Sequence, residues 1–365
     1  MAARGGALAG MRSVLGRAFG RQTSGIVAVD IGSTSVKILE VRGPADAPEL
    51  VRAGMAALPE GALQNNTVAD TVAVAEVIRT LLADLGIKGR LAVTAVPGPS
   101  VIIKKASVHL KADEDLETLL MVEAQHFIPE NLDNVSLDYH VLRHDAEEVE
   151  VLIVAVRRDI LQGFMNALAG AGLDPVIVDV DYFALENMFE LNYESGPDDI
   201  VALIDIGARF SSINVLRGGV SSTTGDVQAG GGEILDSLTS ALGVSADEAE
   251  RLLGGGAAEP DLRERADATI ARGVVELADA IDQSLRFLWR TVSDDPLQMI
   301  YVTGGAARIH GLREALATRL GVSVESVNPF ARMKIGSEID PATLEEMAPA
   351  LGVAAGLATR RVERL

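Results

Sequence analysis

Cysteine is missing altogether from the 365 residues, and aromatic side chains make up 4% of them, with a single tryptophan. The first absence excludes disulfides, thiolate nucleophiles and cysteine-ligated metal, and fits a reducing compartment. No apolar run reaches the roughly 18 residues that cross a bilayer as a helix. No secretory leader pattern is visible either, so the expected location is cytosolic. The histidines (His109, His126, His140, His144 and His310) are scattered without metal-ligand spacing. Ser33 and Ser35 have no histidine in a nucleophile motif, so covalent hydrolase chemistry lacks its base.

Positive charge is also scarce: 32 Lys and Arg against 52 Asp and Glu, for a net charge of −20. The first 25 residues hold Arg4, Arg12, Arg17 and Arg21 and no acid; with those four charges set aside, −20 becomes −24 for the remainder. So acidic a body repels phosphate backbones, and nucleic acid is not an expected partner. In the basic tail, Leu8, Met11, Leu15 and Phe19 fall at helical spacing between the arginines. That pattern suits a helix lying on an anionic membrane surface, a disordered tail, or an organelle transit peptide.

With 48% hydrophobic and 23% charged residues, the chain is globular, and its length favours two domains. Asp-Ile-Gly occurs twice, at Asp30-Ile31-Gly32 and Asp205-Ile206-Gly207, each time closing an apolar run and opening another. Superposing Asp30 on Asp205 also aligns Ile38 with Ile213 and Arg42-Gly43 with Arg217-Gly218. A doubled strand–turn–strand implies two related halves that present an acidic turn each to a shared cleft. Such turns suit a phosphate and its metal ion: glycine admits the backbone, successive N–H groups form an anion cradle, and the carboxylate meets the cation.

Strands are expected at Ile26–Val29, Val36–Arg42 and Leu50–Leu58, followed by a helix over Val68–Leu85 that stops at Gly86. This β-β-β-α order opens a ribonuclease-H-like domain. Residues 89–156 break the pattern, with short strands around an acidic helix, Asp113–Phe127, ended by Pro129. They read as an inserted α+β subdomain of the kind that carries partner contacts. A helix over Arg158–Ala171 and a buried strand, Val176–Val180, follow. The second half repeats three strands (Ile200–Ile206, Phe210–Leu216, Gly219–Thr224) and two helices, Gly230–Leu242 and Asp247–Leu253. A long helix, Leu262–Thr291, comes next, with Trp289 expected to pack. Strand Met299–Thr303, helix Leu312–Leu320, strand Val322–Val327 and helix Leu351–Arg360 complete the pattern.

The chemistry-bearing residues collect at strand and helix ends. In the first turn, Gly32, Ser33, Thr34 and Ser35 would offer N–H groups to β- and γ-phosphates, Lys37 could neutralise their charge, and Asp30 would hold Mg²⁺. In the second, Gly207 and Ala208 flank Asp205, the candidate catalytic acid, which could orient a hydrolytic water or bind the metal. Gly230-Gly231-Gly232-Glu233 opens a helix, a favourable place for an anion. Glu250 could accept from ribose hydroxyls. Gly304 and Gly305, after a strand, permit close approach of a base or α-phosphate, and Arg308 could stack on adenine. Asp179 and Asp181 end a strand near the expected cleft, where they either touch metal or water or cap the next helix.

In this order the motifs resemble the actin, Hsp70 and sugar-kinase superfamily. Within it, Ile26–Val41, Val122–Tyr139, Gly172–Asp181, Val327-Asn328-Pro329-Phe330 and Ala350–Gly356 resemble the PilM family of type IV pilus assembly proteins, and the resemblance covers about residues 12–360. It implies an α/β, two-lobed actin-like fold, a duplicated ribonuclease-H-like unit closest in architecture to the division protein FtsA. The implied lobes are residues 26–88 with 157–197, and 198–229 with 262–365. The inserted subdomain is 89–156, a small helical nucleotide-side subdomain is 230–261, and 1–25 is a tail.

The resemblance further implies ATP with Mg between the lobes, and a peripheral place on the cytoplasmic face of the inner membrane. It implies a groove beside the insertion for the cytosolic N-terminal segment of the membrane protein PilN. It also implies communication with other inner-membrane pilus components and the motor ATPases. Glu123, Phe127, Ile128 and Pro129 carry its most family-specific segment and are the implied partner-binding residues. Two positions depart from the pattern. Leu253 stands where relatives usually carry a Lys near the nucleotide, and Ala208-Arg209 stands where kinases and Hsp70 prefer Gly-Thr or Gly-Gly. Nucleotide binding is therefore expected, with slow or absent hydrolysis. The alternatives are the actin-like region of a type II secretion protein, an FtsA-like filament former, and a small-molecule kinase with the same cleft.

Overall fold

Each Asp-Ile-Gly segment ends the central strand of its own sheet. The computed structural model describes residues 26–44, 47–111, 115–129, 131–145, 148–292 and 295–360; the basic tail and its helical spacing lie outside them. The first half runs through β1 (Ile26–Ile31), β2 (Ser35–Arg42), β3 (Glu49–Ala57), a two-rung hairpin of β4 (Leu63–Gln64) and β5 (Thr67–Val68), helix α1 (Thr71–Asp84) and β6 (Leu91–Val96). Next come β7 (Val101–His109), α2 (Leu116–Ala124), β8 (Val135–Asp145), β9 (Glu148–Arg157), α3 (Arg158–Gly170), β10 (Asp174–Val180) and α4 (Asp181–Asn192). The second half holds β11 (Ile200–Ile206), β12 (Ser211–Arg217), β13 (Val220–Val227), α5 (Gly231–Leu242), α6 (Ala246–Leu253), α7 (Pro260–Val292) and β14 (Met299–Thr303). It continues through α8 (Leu312–Leu320), β15 (Val324–Ser326), β16 (Lys334–Ile335), α9 (Pro341–Met347) and α10 (Gly352–Ala358).

The first sheet has the order β10-β6-β1-β2-β3-β16 and the second β13-β12-β11-β14-β15. Without β16 they share one plan: an antiparallel three-strand meander whose first strand is flanked by two parallel strands. The register is shared too. Val29 faces Ile38 and Asp30 faces Lys37 in the first sheet, while Ile204 faces Ile213 and Asp205 faces Ser212 in the second. The duplicated ribonuclease-H-like order expected from the repeat is thus realised twice. β7, β9 and β8 form a separate three-stranded antiparallel sheet.

Three apolar layers hold the halves. Outside the first sheet, α1 buries Val74, Ala75, Ile78, Leu81 and Leu82 together with Phe164 and Leu168 of α3. Each such side chain contributes about 1.5–3 kcal/mol relative to exposure. Outside the second sheet lie Ile234 and Leu238 of α5, Leu252 of α6, and Ile270, Val274, Leu277, Ile281 and Leu285 of α7. Trp289 packs there, with its indole N–H donated to Asp295 O at 2.8 Å. Between the sheets, α4 and α10 fill a common layer with Ala28, Leu39 and Val93 from one side and Val201, Leu203 and Leu216 from the other.

Several element bounds differ from expectation for local reasons. Helix α1 begins at Thr71 rather than Val68, because Asp70 caps it by accepting from Ala73 N, and Val68 belongs to β5. The acidic helix is shorter than Asp113–Phe127, covering Leu116–Ala124 behind an Asp115 cap. The last helix divides into a 3-10 turn, Ala348–Leu351, and α10. Val327-Asn328-Pro329-Phe330 is a structural clasp. Asn328 N donates to Tyr193 Oη at 2.8 Å, Pro329 O accepts from Asn192 Nδ2 at 3.0 Å, and Phe330 is buried in the inter-sheet layer.

Candidate nucleotide site

The two acidic turns face a common cleft. In the first, Gly32 N donates to Ser35 O at 3.0 Å, closing the β1–β2 turn. A Cβ at Gly32 would come within 2.8 Å of Lys37 Nζ, so glycine here preserves space for the lysine. That ammonium sits 3.1 Å from Asp30 Oδ2, and both side chains are mostly buried. Ser33 is half-buried and Thr34 exposed, with Thr34 O accepting from Leu58 N at 2.9 Å.

In the second turn Gly207 N donates to Phe210 O at 3.1 Å. Gly304, whose φ of +95° suits glycine, lies so close to Asp205 that a Cβ would strike Oδ1 and Ile206 O. Burial pushes the Asp205 carboxyl up to about 6; Lys37 pulls it back down and Asp30 adds to the rise. The carboxylates of both turns and one ammonium therefore share a field across the cleft.

The remaining candidates are placed less uniformly. Gly231 N and Gly232 N donate to Gly207 O at 2.9 Å and Ala208 O at 2.8 Å. The second turn thus caps α5 with its carbonyls, which corrects the expectation that these N–H groups stand open to an anion. Glu233 is exposed in the first turn of α5, and Glu250 is exposed on α6. Gly305 is exposed with open space around it, whereas Arg308 gives a nitrogen to Glu346 O at 3.3 Å, tying it to α9. Leu253 is half-buried and packs against the edge of the second lobe's core.

Behind the turns lies a polar seam between the halves, and Ser212, Asn214 and Asp226 of that seam carried no signal in the sequence. Asp181 accepts from Gly98 N at 2.9 Å, and Ser212 Oγ lies 3.5 Å from Asp181 and 3.3 Å from Asp226. Asn214 Nδ2 donates to Tyr182 O at 3.0 Å. Burial, with the neighbouring Asp205 and Asp226, leaves the Asp181 carboxyl well above its ordinary value, although the bond from Gly98 N pulls it down. Asp179 is held by Arg360 at 2.5 Å. Both aspartates are buried ties rather than open ligands.

The inserted sheet has a different character. Ile128 is buried in the core beneath α2, while Phe127 packs beside it and stays half-buried. Glu123 is half-buried 3.4 Å from His126 Nδ1, and Pro129 is exposed. A cavity of about 230 Å³ opens nearby, lined by Asn65, Asn66, Ser100, Val135, Arg157 and Ile160 among others. Among the described residues no helix is long and apolar enough to cross a membrane.

Two sheets of one plan, acidic turns opposed across a cleft and helices between them define an actin-like two-lobed protein. The chain aligns with the solved structure titled "PilM-PilN type IV pilus biogenesis complex" at a TM-score of 0.81 and 29% identity, covering 94% of this chain and 100% of that one. It is also similar to the ethanolamine utilization protein EutJ from Carboxydothermus hydrogenoformans, at a TM-score of 0.56 and 17% identity over 92% of this chain and 89% of that one. Residues 28–362 match the family described as type IV pilus assembly protein PilM. The chain belongs to that family.

Proposed function

We propose that this chain is a nucleotide-regulated scaffold of the type IV pilus assembly platform, binding ATP with Mg²⁺ between its lobes and a short PilN segment beside the inserted sheet. The observation that carries the nucleotide reading is the convergence of Asp30, Lys37 and Asp205 on one cleft. Among the described residues no group of three or more metal-ligating side chains could hold a cation alone. Two carboxylates without a third suit Mg²⁺, which takes one or two protein carboxylates and completes its shell with phosphate oxygens and water. Asp30 and Asp205 would hold it, and bound there it would neutralise phosphate charge. Gly32, Ser33, Thr34 and Ser35 would line the phosphates, and Gly304 and Gly305 would admit the base side.

The partner reading rests on the cavity beside β7–β9 and on the relative solved as a PilM-PilN complex. Asn65 lines this cavity and also a second one that contains Arg209, so one wall belongs to both spaces. A ligand that prefers one lobe arrangement shifts affinity at the other site by the same free energy. Residues 26–88 with 157–197, and 198–229 with 262–365, would be the moving lobes, with 89–156 and 230–261 riding on them. At the cytoplasmic face of the inner membrane, a lobe shift in such a scaffold would be available to other platform components and the motor ATPases. With the second turn's carbonyls engaged by α5, we expect turnover to be slow or absent.

The test is thermal unfolding with and without Mg-ATP, on the unmodified chain and on Asp30→Ala. Ligand at 100 times its dissociation constant adds roughly 2.7 kcal/mol, on the order of 3–4 °C for a chain of 365 residues melting as one unit. A shift present in the first and lost in the second supports the site; no shift in either removes it. For the groove, Ser100→Trp should abolish binding of a labelled PilN N-terminal peptide while leaving the ATP shift intact. Unchanged peptide binding would place the partner elsewhere.

A further inference from the structure

Arg209 stands on the second acidic turn, where its guanidinium lines a cavity of about 320 Å³ with Glu60, Gly61, Gln64 and Asn65 on the opposite wall. That wall belongs to the first half of the chain and begins two residues after Leu58, whose N–H donates to Thr34 O of the first turn. The cavity therefore lies over both turns at once. Among the described residues Arg209 has no ion-pair or hydrogen-bond partner, although Arg42, Arg217 and Arg251, which are also exposed, each hold a carboxylate. Lys37, the cation deeper in the cleft, is already engaged by Asp30. Any anion placed between the turns meets two carboxylates and a lysine already paired with Asp30, and Arg209 adds a second cation from the second turn.

A planar guanidinium offers paired donors that match phosphate oxygens, and it keeps its charge at any physiological pH. Resting on the nucleotide reading above, we propose that Arg209 is the residue that tells a nucleoside triphosphate from a diphosphate, donating to the terminal phosphate from the second lobe. The position departs from the small residues that relatives elsewhere in the superfamily prefer. A side chain here closes off backbone approach and supplies charge in its place. It would also supply a cation in place of the lysine that Leu253 replaces. Because the opposing wall carries Asn65, a terminal phosphate drawn toward Arg209 sits against the hairpin that borders the partner cavity.

The experiment is titration calorimetry of the full chain with Mg-ADP and with a Mg-bound non-hydrolysable ATP analogue, on the unmodified protein, Arg209→Ala, Arg209→Lys and Glu60→Gln. We expect Arg209→Ala to lose roughly 10- to 100-fold in analogue affinity, the range of a charge-assisted hydrogen bond, while affinity for ADP stays within about twofold. Arg209→Lys should fall between. Equal losses for both nucleotides, or none for either, overturn the proposal. A Glu60→Gln variant that reproduces the loss also overturns it, since Arg209 would then be a latch to Glu60. Failure of the unmodified chain to bind either nucleotide removes the nucleotide reading itself; binding with an unchanged ratio in Arg209→Ala removes only this inference.

Discussion

Lys37 lies directly across the β1–β2 ladder from Asp30, and its ammonium rests 3.1 Å from the carboxylate with little of either side chain exposed. In the second sheet the equivalent position opposite Asp205 is Ser212. One duplicated turn therefore carries its own counter-ion, and the other draws on its neighbour's.

Replacing Lys37 by Met should destabilise the ligand-free protein by about 3–5 kcal/mol, because it strands a mostly buried carboxylate. It should also move the Asp205 carboxyl higher, since Asp30 would then repel it with no cation to offset the effect. Chemical denaturation measures the first effect, and the pH dependence of the melting temperature the second. A Lys37→Met variant as stable as the parent would show that the pair contributes nothing net.

The sign of the Asp205 shift dictates a second outcome. A carboxyl raised to about 6 takes up a proton on folding, so its ionised form opposes folding above pH 6 and is neutral in effect below about 4. Asp205→Asn should therefore stabilise the ligand-free protein at pH 7.5 by on the order of 1–3 kcal/mol, read as a higher melting temperature. The gain should fade as pH drops through 6 toward 4. Melting curves across that range decide it; a gain that grows on acidification contradicts the assignment. The same variant should lose the Mg-ATP shift.

Arg360 and Asp179 join the chain's last described turn to β10, with both side chains largely buried. Arg360→Ala should cost about 3–5 kcal/mol by leaving Asp179 uncompensated. Adding Asp179→Asn should recover much of it, and a double-mutant cycle reads the coupling. Additive losses would mean that the two side chains act independently.

At the helix crossing, a Cβ on Gly356 would collide with the Ala184 carbonyl and backbone. Gly356→Ala should cost at least 1–3 kcal/mol through overpacking, despite alanine's better helix propensity. Gly86→Ala, with open space but a φ of +65°, separates backbone strain from collision. If the two variants melt alike, crowding is not what Gly356 relieves.

What could be read from the chain follows from where periodicity survives. The paired Asp-Ile-Gly turns were legible because duplication preserved both residue type and register, and α7 because its apolar positions step by three and four. Helix α4 was not, for seven of its twelve residues are buried. Lying between two sheets, it leaves only a narrow polar strip, Glu186, Asn187 and Glu190, to mark its period. Helix α9 left a readable start in Asp340 and Pro341, but it is only seven residues long. The β4–β5 hairpin rests on two residues with left-handed backbone, Asn65 and Asn66, between strands of two residues each. Ladders that short carry no alternation. The capping of α5 by Gly207 and Ala208 joins positions more than twenty residues apart, and no local pattern encodes such a pairing. Glu123, Phe127, Ile128 and Pro129 stood out in sequence, and of the four only Ile128 is buried.

The layer that α4 and α10 share has one more consequence. Ala28 and Leu39 of one sheet and Val201 and Leu203 of the other are covered by the same two helices, with no water-filled seam between. Melting either lobe would strip the apolar cover from its sister, which could not persist alone. A molecule with two lobes to the eye is then a single unit to the calorimeter: one transition, its calorimetric and van't Hoff enthalpies equal. The buried polar ties of Ser212 and Asn214 to Asp181, Asp226 and Tyr182 join the same two halves and belong to that single unit.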